Sequence, residues 1–356
     1  MTGRRVLFTC GREPEYVRNL LVRRALRQQF DVVEVTDSGA GSLLLRNLRL
    51  LPRLVAAMRS PHDLVFVGFY GYLLTLFLSR LTRKPILFDA FVSNWDTLCF
   101  DRQTLKPDSI GGRLAQALDI RACLTASHCL LDTHAHQRYF EEAFGIPDGR
   151  VSVFYLGYDH EIFHPRPLPR ENERFVVFYY GSFLPLHGLD QIVAAAQILR
   201  GQRDIEFRVL GEGMVYPRVR KLAEELGLEH LTFQAPVPYA RLPDAIAEAS
   251  LCLGGPFGAT AKAGRVIAGK TFQFMAMARP TIVGDSPANR ELFIHGEDVW
   301  MCRLADPQAL ASAILELKRD AQLRASIAQR GAEHCRDEFS MEKQGQRLAQ
   351  IVAGVP

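Results

Sequence analysis

Between Lys262 and Arg279 the chain reads KAGRVIAGKTFQFMAMAR, where three cations (Lys262, Arg265 and Lys270) lead into a segment predicted to be helical from about Thr271. The first turn of a helix offers unpaired backbone N–H groups and a partial positive charge. With Gly269-Lys270-Thr271 at its mouth, this segment is suited to a phosphate. Upstream, Tyr180-Gly181-Ser182-Phe183-Leu184-Pro185-Leu186-His187-Gly188-Leu189-Asp190 reads as a strand end, a Gly loop and a helix start. Each segment alone also fits a surface helix with solvated cations. Two strand–loop–helix anion sites in one half of a chain imply a nucleotide diphosphate.

Other groups able to do chemistry gather at expected strand ends. Asp89, Ser93, Asn94, Asp96 and Asp101 follow the strand Pro85–Phe88, and Asp132 and His134 follow His128–Asp132. Carboxylates beside hydroxyl and amide groups suit hydrogen bonding to a polyhydroxyl ligand, with at least one of them expected to be a turn or helix-cap residue instead. Gly11-Arg12-Glu13-Pro14 forms a tight loop after the first strand. His187 either donates to a phosphate or caps its helix. No His/Asp/Glu cluster has metal-ligand spacing, no Ser-His-Asp arrangement is evident, and no nucleic-acid motif is present.

The elements that must position these groups alternate along the chain. Expected strands are Val6–Cys10, Asp31–Thr36, Leu64–Gly68, Pro85–Ala90, His128–Asp132 and Val151–Leu156. Between them lie helices Pro14–Gln29, Leu43–Arg59, Leu73–Leu81, Gly111–Arg121 and His134–Phe144. A linker, Phe163 to Pro169, holds three prolines that forbid continuing secondary structure. The alternation then restarts with strands Phe175–Tyr180, Glu206–Gly211, Leu231–Gln234, Leu251–Gly254 and Pro280–Gly284. The helices here are Gly188–Arg200, Pro217–Leu226, Leu242–Ala249, Thr271–Ala278, Pro307–Asp320, Leu323–Cys335 and Ser340–Val352. Short apolar strands between helices predict an α/β protein with two doubly wound parallel sheets. The ligand is then expected in a cleft at strand carboxyl ends.

Composition agrees with this plan. The 356 residues suit two domains. The apolar fraction of 48% and charged fraction of 23% are those of a globular protein. The longest uncharged run, Leu64 to Ser79, is too short to span a bilayer. The N-terminus enters a strand with no leader-like h-region, and seven scattered cysteines read as reduced, buried thiols. A cytoplasmic location follows as the expectation. Charge is uneven: residues 1–84 hold 14 basic against 6 acidic side chains, and residues 85–165 hold 6 against 11. Arg46, Arg49 and Arg53 share a helical face beside Leu43, Leu44, Leu48, Leu51 and Leu54. That pattern fits either a helix packed on its own domain or one lying peripherally on an anionic membrane surface.

The ordered motifs resemble those of the GT-B glycosyltransferases of family 4, over essentially the whole chain. Asp132-Thr133 with Val151 to Asp159 and Phe163-Pro165 is similar to the family's "V-I-P-N-G-V-D…F-x-P". Tyr180-Gly181-Ser182…His187-Gly188 is similar to "V-G-R…K-G-x-D". Val209-Leu210-Gly211-Glu212-Gly213 is similar to "G-x-G". Arg265 to Ala278, Pro280 to Val283 and Asn289 to Leu292 resemble "E-x7-E-A-M-A-x-G-x-P-V-V…N-x-E-L". Ser182 and His187 stand where the family has Arg and Lys, and Arg265 and Gln273 where it has two Glu. These departures match a branch with P-L-H-G and R-V-I-x-x-K patterns.

The resemblance implies a retaining, metal-independent hexosyltransferase that needs no cofactor beyond its donor, a UDP- or GDP-linked sugar. The acceptor is a glycan, glycolipid or small molecule, as in cell-surface polysaccharide or glycolipid synthesis. The implied domains are 1–165 for the acceptor and 170–339 for the donor, with 340–356 as a helix crossing back. Gly181, Ser182, His187, Gly188, Gly211, Gly213, Val237, Thr271 and Gln273 are the expected donor contacts. Asp89, Asp96, Arg265 and Lys270 are the expected catalytic groups. Gly11, Arg12, Glu13, Ser93, Asn94, Asp101 and His134 are the expected acceptor contacts. A sugar-nucleotide epimerase or phosphorylase and a non-catalytic sugar-nucleotide-binding partner protein share the same plan.

Overall fold

A strand buried on both faces must be apolar at nearly every position, and Leu64–Gly68 is buried throughout its length. The computed structural model describes residues 3–167 and 174–355. Met1, Thr2, Leu168 and Pro169 of the expected linker, the expected domain start at 170, and Pro356 lie outside the described residues. The chain divides into two units, one running to Leu156 and resuming at Met341, the other spanning Gly157–Ser340.

In the first unit, β1 (Arg5–Cys10), α1 (Val17–Gln29), β2 (Asp31–Glu34), α2 (Leu43–Ala57), β3 (Leu64–Gly68) and α3 (Tyr72–Leu78) lead to β4 (Ile86–Asp89). They are followed by α4 (Ile110–Thr125), β5 (His128–Leu131), α5 (His134–Phe144) and β6 (Val151–Val153). The strands form one parallel sheet in the order β2-β1-β3-β4-β5-β6. The order reverses between β1 and β3, so the loops leaving these two strands diverge and open a crevice at their carboxyl ends. Val65, Val67, Leu74, Leu78, Phe88 and Phe140 belong to the core around this sheet.

The second unit repeats the plan with β7 (Phe175–Ser182), α6 (Leu189–Ile198), β8 (Ile205–Glu212), α7 (Tyr216–Glu225), β9 (Leu231–Gln234) and α8 (Leu242–Ala247). Next come β10 (Leu251–Leu253), α9 (Gly269–Ala276), β11 (Thr281–Asp285), β12 (Trp300–Arg303), α10 (Pro307–Arg319) and α11 (Ala321–Phe339). The parallel order is β12-β11-β10-β7-β8-β9, which reverses between β7 and β10. Arg279 is fully buried, and its guanidinium donates to the carbonyls of Arg166, Pro167, Ile246, Ala247 and Ala278, fixing residues 166–167 to this unit.

The chain returns to the first unit through α12 (Met341–Gly354), which packs on α1. Gly345 makes the approach close: a Cβ there would lie 2.9 Å from the Gln28 Cβ. Gln344 Nε2 donates to the Tyr155 carbonyl at 3.1 Å. Met341, Leu348 and Val352 are buried, whereas Glu342 and Lys343 are exposed. Burying each such apolar side chain contributes about 1.5–3 kcal/mol. Deleting residues 340–356 is therefore expected to lower the stability of the first unit by roughly 5 kcal/mol and to reduce turnover with it. Urea unfolding checks this, and a truncation with wild-type stability would show that α12 adds little. Among the described residues no helix is long and apolar enough to cross a membrane.

Candidate functional site

The second unit's switch point is bounded by the loops after β7 and β10 and by the first turn of α9. β7 and β8 stay in register to Gly181↔Gly211 and Ser182↔Glu212. The two strand ends approach so closely that a Cβ on Gly211 would lie 2.1 Å from the Gly181 carbonyl oxygen. Gly181 itself faces Lys270: a Cβ there would lie 2.9 Å from Lys270 Cε. Both glycines have positive φ, 151° and 139°, which side chains rarely adopt. The residue types here thus remove bulk at the point where a ligand's phosphates would approach.

α9 begins at Gly269, two residues before the expected Thr271, which places Lys270 inside the first turn. Its N-cap, Ala268, supplies no side-chain cap. Lys270 is only 6% exposed; its Nζ lies 4.7 Å from the centroid of the Tyr179 ring and 3.4 Å from His187 Nδ1. Among the described residues no carboxylate pairs with it. Burial alone pulls its ammonium down to about 7. His187 ends the short turn Pro185–His187, and burial, then Lys270, then Lys262 hold its imidazole well below the ordinary value. In the tautomer that carries its proton on Nε2, His187 accepts from Lys270 at Nδ1 and keeps Nε2–H as a donor. Gly188, with φ 66°, starts α6 against Phe257 and Gly258.

Lys262 is buried in the short turn Ala261–Gly264, and Arg265, half-buried, donates its backbone N–H to the Lys262 carbonyl. Further along α9, Thr271 Oγ1 is buried without a hydrogen-bond partner among the described residues. Gln273 Nε2 donates to the Tyr239 hydroxyl at 3.3 Å, while its Oε1 is buried with no hydrogen-bond partner among the described residues. Ser182 is exposed, Gly213 follows β8 with φ 147°, and half-buried Val237 follows β9. The structure thus gathers Gly181, His187, Gly188, Lys262 and Lys270 around one cationic recess. Gln273 lies one turn further along α9. Tyr179 and Tyr239 were not singled out from the sequence; one is an ordinary strand aromatic there and the other a loop tyrosine.

The first unit treats its carboxylates differently. Asp89, expected to be catalytic, is wholly buried; its two oxygens accept from Arg18 Nε and Nη2 at 2.9 Å each. Arg18 also donates to the Phe154 carbonyl and lies between the Phe91 and Phe154 rings. Both Asp89 oxygens are occupied by this pair. Ser93 and Asn94 are likewise engaged, donating to Asp119 of α4 at 2.7 and 2.8 Å, with the Trp95 N–H at 2.9 Å. Asp96 and Asp101 are buried at the two ends of a short π-type helix, Asp96–Asp101. His134 is exposed beside Gln137, whereas His136, absent from the expectation, is fully buried against Asp132 at 2.7 Å.

Gly11, Arg12 and Glu13 do lie at the first unit's switch point. Arg12 N–H donates to the Phe69 carbonyl at 3.1 Å, and Glu13 pairs with both Arg12 and Arg46. The arginine face of α2 is turned toward its own unit. Arg46 pairs with Glu13, Arg49 with Asp37, and Arg53 donates to the Thr36 carbonyl.

These sheets, order reversals and glycine-lined strand ends define the GT-B glycosyltransferase fold. Solved relatives superpose along nearly the whole chain. Anabaena Alr3699/HepE, crystallised with UDP and glucose, gives a TM-score of 0.72 at 18% identity, covering 98% of this chain and 99% of that one. Sucrose-phosphate synthase from Thermosynechococcus elongatus gives 0.74 at 15% identity, covering 98% of each. Residues 174–320, which carry the cationic recess, match the family model "Glycosyl transferases group 1".

Two curated relatives extend the likeness. A GDP-mannose-dependent alpha-(1-6)-phosphatidylinositol monomannoside mannosyltransferase of Mycolicibacterium smegmatis is 26% identical over 228 residues, 60% of this chain and 59% of that protein. Alpha-D-kanosaminyltransferase of Streptomyces kanamyceticus is 25% identical over 339 residues, 92% of this chain and 84% of that one. The chain thus spans less than two thirds of the mannosyltransferase it matches.

Proposed function

We propose that this protein is a glycosyltransferase that moves a hexose from a nucleotide diphosphate sugar to a hydroxyl of a glycan, glycolipid or small molecule. One observation carries the reading: Lys270, buried in the first turn of α9, has no anionic partner among the described residues, in a recess walled by glycine backbone. A buried ammonium is costly unless an anion joins it, and a diphosphate supplies that anion. UDP- or GDP-linked sugars are the donors we favour, given the relatives that act on GDP-mannose or were crystallised with UDP.

In this account the diphosphate lies against Gly181, Ser182, the α9 N-terminus and Lys270, with His187 donating through Nε2. Gln273 Oε1 accepts from a ribose hydroxyl, and the segment containing Val237 borders the base. Arg265 and Lys262 add positive charge for the departing nucleoside diphosphate. Catalysis then rests on positioning and electrostatic stabilisation. Retention of configuration, with the acceptor on the first unit, is part of the proposal and is supported by the motif resemblance. Incubating the purified protein with UDP-, GDP- and ADP-sugars, with and without glycoside acceptors, tests it. Release of nucleoside diphosphate is expected from one donor. Tight nucleotide binding without release would indicate a non-catalytic partner protein, and isomerised donor would indicate an epimerase.

We further propose a peripheral place on anionic membrane. Leu44, Leu45 and Leu48 of α2 are 59%, 46% and 53% exposed, and an amphipathic helix can bury such residues at the headgroup boundary. Because the arginines are already paired, the leucines carry the contact. Replacing all three by Ser is expected to abolish co-sedimentation with anionic liposomes. Wild-type protein that never sediments at low salt would contradict this.

A further inference from the structure

The first unit's switch point has a second, differently built recess. Gly11 meets the β3 loop so closely that a Cβ there would lie 2.0 Å from the Tyr70 carbonyl oxygen. Tyr70 itself has φ 60°, the left-handed region that a bulky residue enters only when its surroundings hold it there. That conformation keeps its ring in an aromatic group: Phe69–Tyr70 at 4.5 Å, Tyr16–Phe69 at 4.8 Å and Phe69–Phe91 at 5.2 Å between centroids.

Cations flank the rings. The Arg12 guanidinium lies 5.7 Å from the Tyr16 centroid and 5.9 Å from that of Tyr70. Burial pushes the Tyr16 hydroxyl up, and the nearby charges of Arg12 and Arg102 act against this. Arg102 Nε is buried with no hydrogen-bond partner among the described residues. Glu13 answers Arg12 and Arg46 together, so guanidinium groups outnumber the acid that bridges them. Aromatic faces accept the C–H face of a pyranose, and guanidinium forks match phosphate oxygens.

We propose that this recess takes an acceptor that is a hexose bearing a phosphate, its ring against Tyr16 and Tyr70 and its phosphate on Arg12 and Arg102. The proposal rests on the glycosyltransferase reading and specifies the class of its acceptor.

The test uses full-length Lys270→Ala protein, in which the second unit's cationic recess is disabled. Mannose, glucose and galactose 1-phosphates are titrated calorimetrically against their methyl glycosides. At least one hexose phosphate should bind about tenfold or more tightly than its methyl glycoside, the scale of a charged hydrogen bond. Arg12→Ala with Arg102→Ala should erase that preference, and Tyr70→Gly, which suits the backbone at φ 60°, should weaken both ligands. Thermal unfolding of each variant confirms that it is folded. Equal binding of neutral and phosphorylated sugars, a preference that survives loss of both arginines, or no hexose phosphate binding would overturn the proposal.

Vesicles carrying a polyprenyl-phosphate hexose distinguish a lipid source from a free sugar phosphate. If they bind the protein and soluble hexose phosphate displaces it, the lipid-linked sugar occupies this recess. Equal displacement by plain phosphatidylglycerol vesicles would refute recognition of the sugar. The donor reading fails separately, if wild-type protein binds no nucleoside diphosphate.

Discussion

Lys270→Ala should lower kcat by about 10²–10³-fold, the usual consequence of losing one group that stabilises charge developing in a transition state. Nucleoside monophosphate binding should change far less, because the contact strengthens as the diphosphate departs. The physical ground is the position of Lys270, in the first turn of α9, over the Tyr179 ring and beside Gly181. Arg265→Ala should act in the same sense, and the double variant should be less than additive if both serve one phosphate pair. Near-normal transfer by Lys270→Ala would place the diphosphate elsewhere.

The same lysine sets a pH dependence. In the unloaded site burial pulls it from 10.5 to about 7, so donor, which needs the ammonium, should bind best below about pH 7. Affinity should fall roughly tenfold per unit above that until the pKa of the complex is reached. Stability of the unloaded protein runs the other way. Between about 7 and 10.5 the unfolded chain holds the proton that the folded one has released, so stability rises with pH through that window. Lys270→Met should accordingly raise the melting temperature at pH 6 while lowering turnover by the same roughly 10²–10³-fold. His187 is held well below its ordinary value by burial, then Lys270, then Lys262.

Asp89→Ala should cost about 3–5 kcal/mol of stability, because it strands the Arg18 guanidinium in a fully buried site. Burial pushes the Asp89 carboxyl upward, and Arg18 offsets this only in part. The pair is therefore expected to be a poor source of net stability although its halves depend on each other. The double replacement Arg18→Met with Asp89→Leu should recover much of the loss. Urea unfolding of the three variants checks this. An Asp89→Ala protein as stable as wild type but without turnover would return Asp89 to the chemistry.

Asp89 shows what the sequence cannot display. A carboxylate at a strand end is visible as a residue type, but its direction is not, and Arg18 reads as an ordinary solvated position on a helix. Asp119 is hidden for a similar reason, being a lone acid on α4 that organises Ser93 and Asn94 some 25 residues away. The parallel sheets were legible because strands buried on both faces are continuous apolar runs between longer helices. β12, only four residues long and at the sheet edge, leaves no such run. The glycine loop after β7 and the cationic segment before α9 were legible because glycine and cations stand out at strand and helix ends. The helix start was not, since Gly269 reads as a breaker, yet beginning there is what brings Lys270 into the first turn.

On the proposed function, a nucleoside diphosphate completes the charge of Lys270. Calorimetry of UDP, GDP and ADP binding at pH 8, in buffers of differing ionisation enthalpy, tests it most directly. A lysine pulled down to about 7 in the free site is mostly deprotonated at that pH. The nucleotide that binds should therefore draw nearly one proton from the buffer, and Lys270→Ala should remove that uptake. Binding without proton uptake in the wild type, or uptake unchanged in Lys270→Ala, would contradict the account.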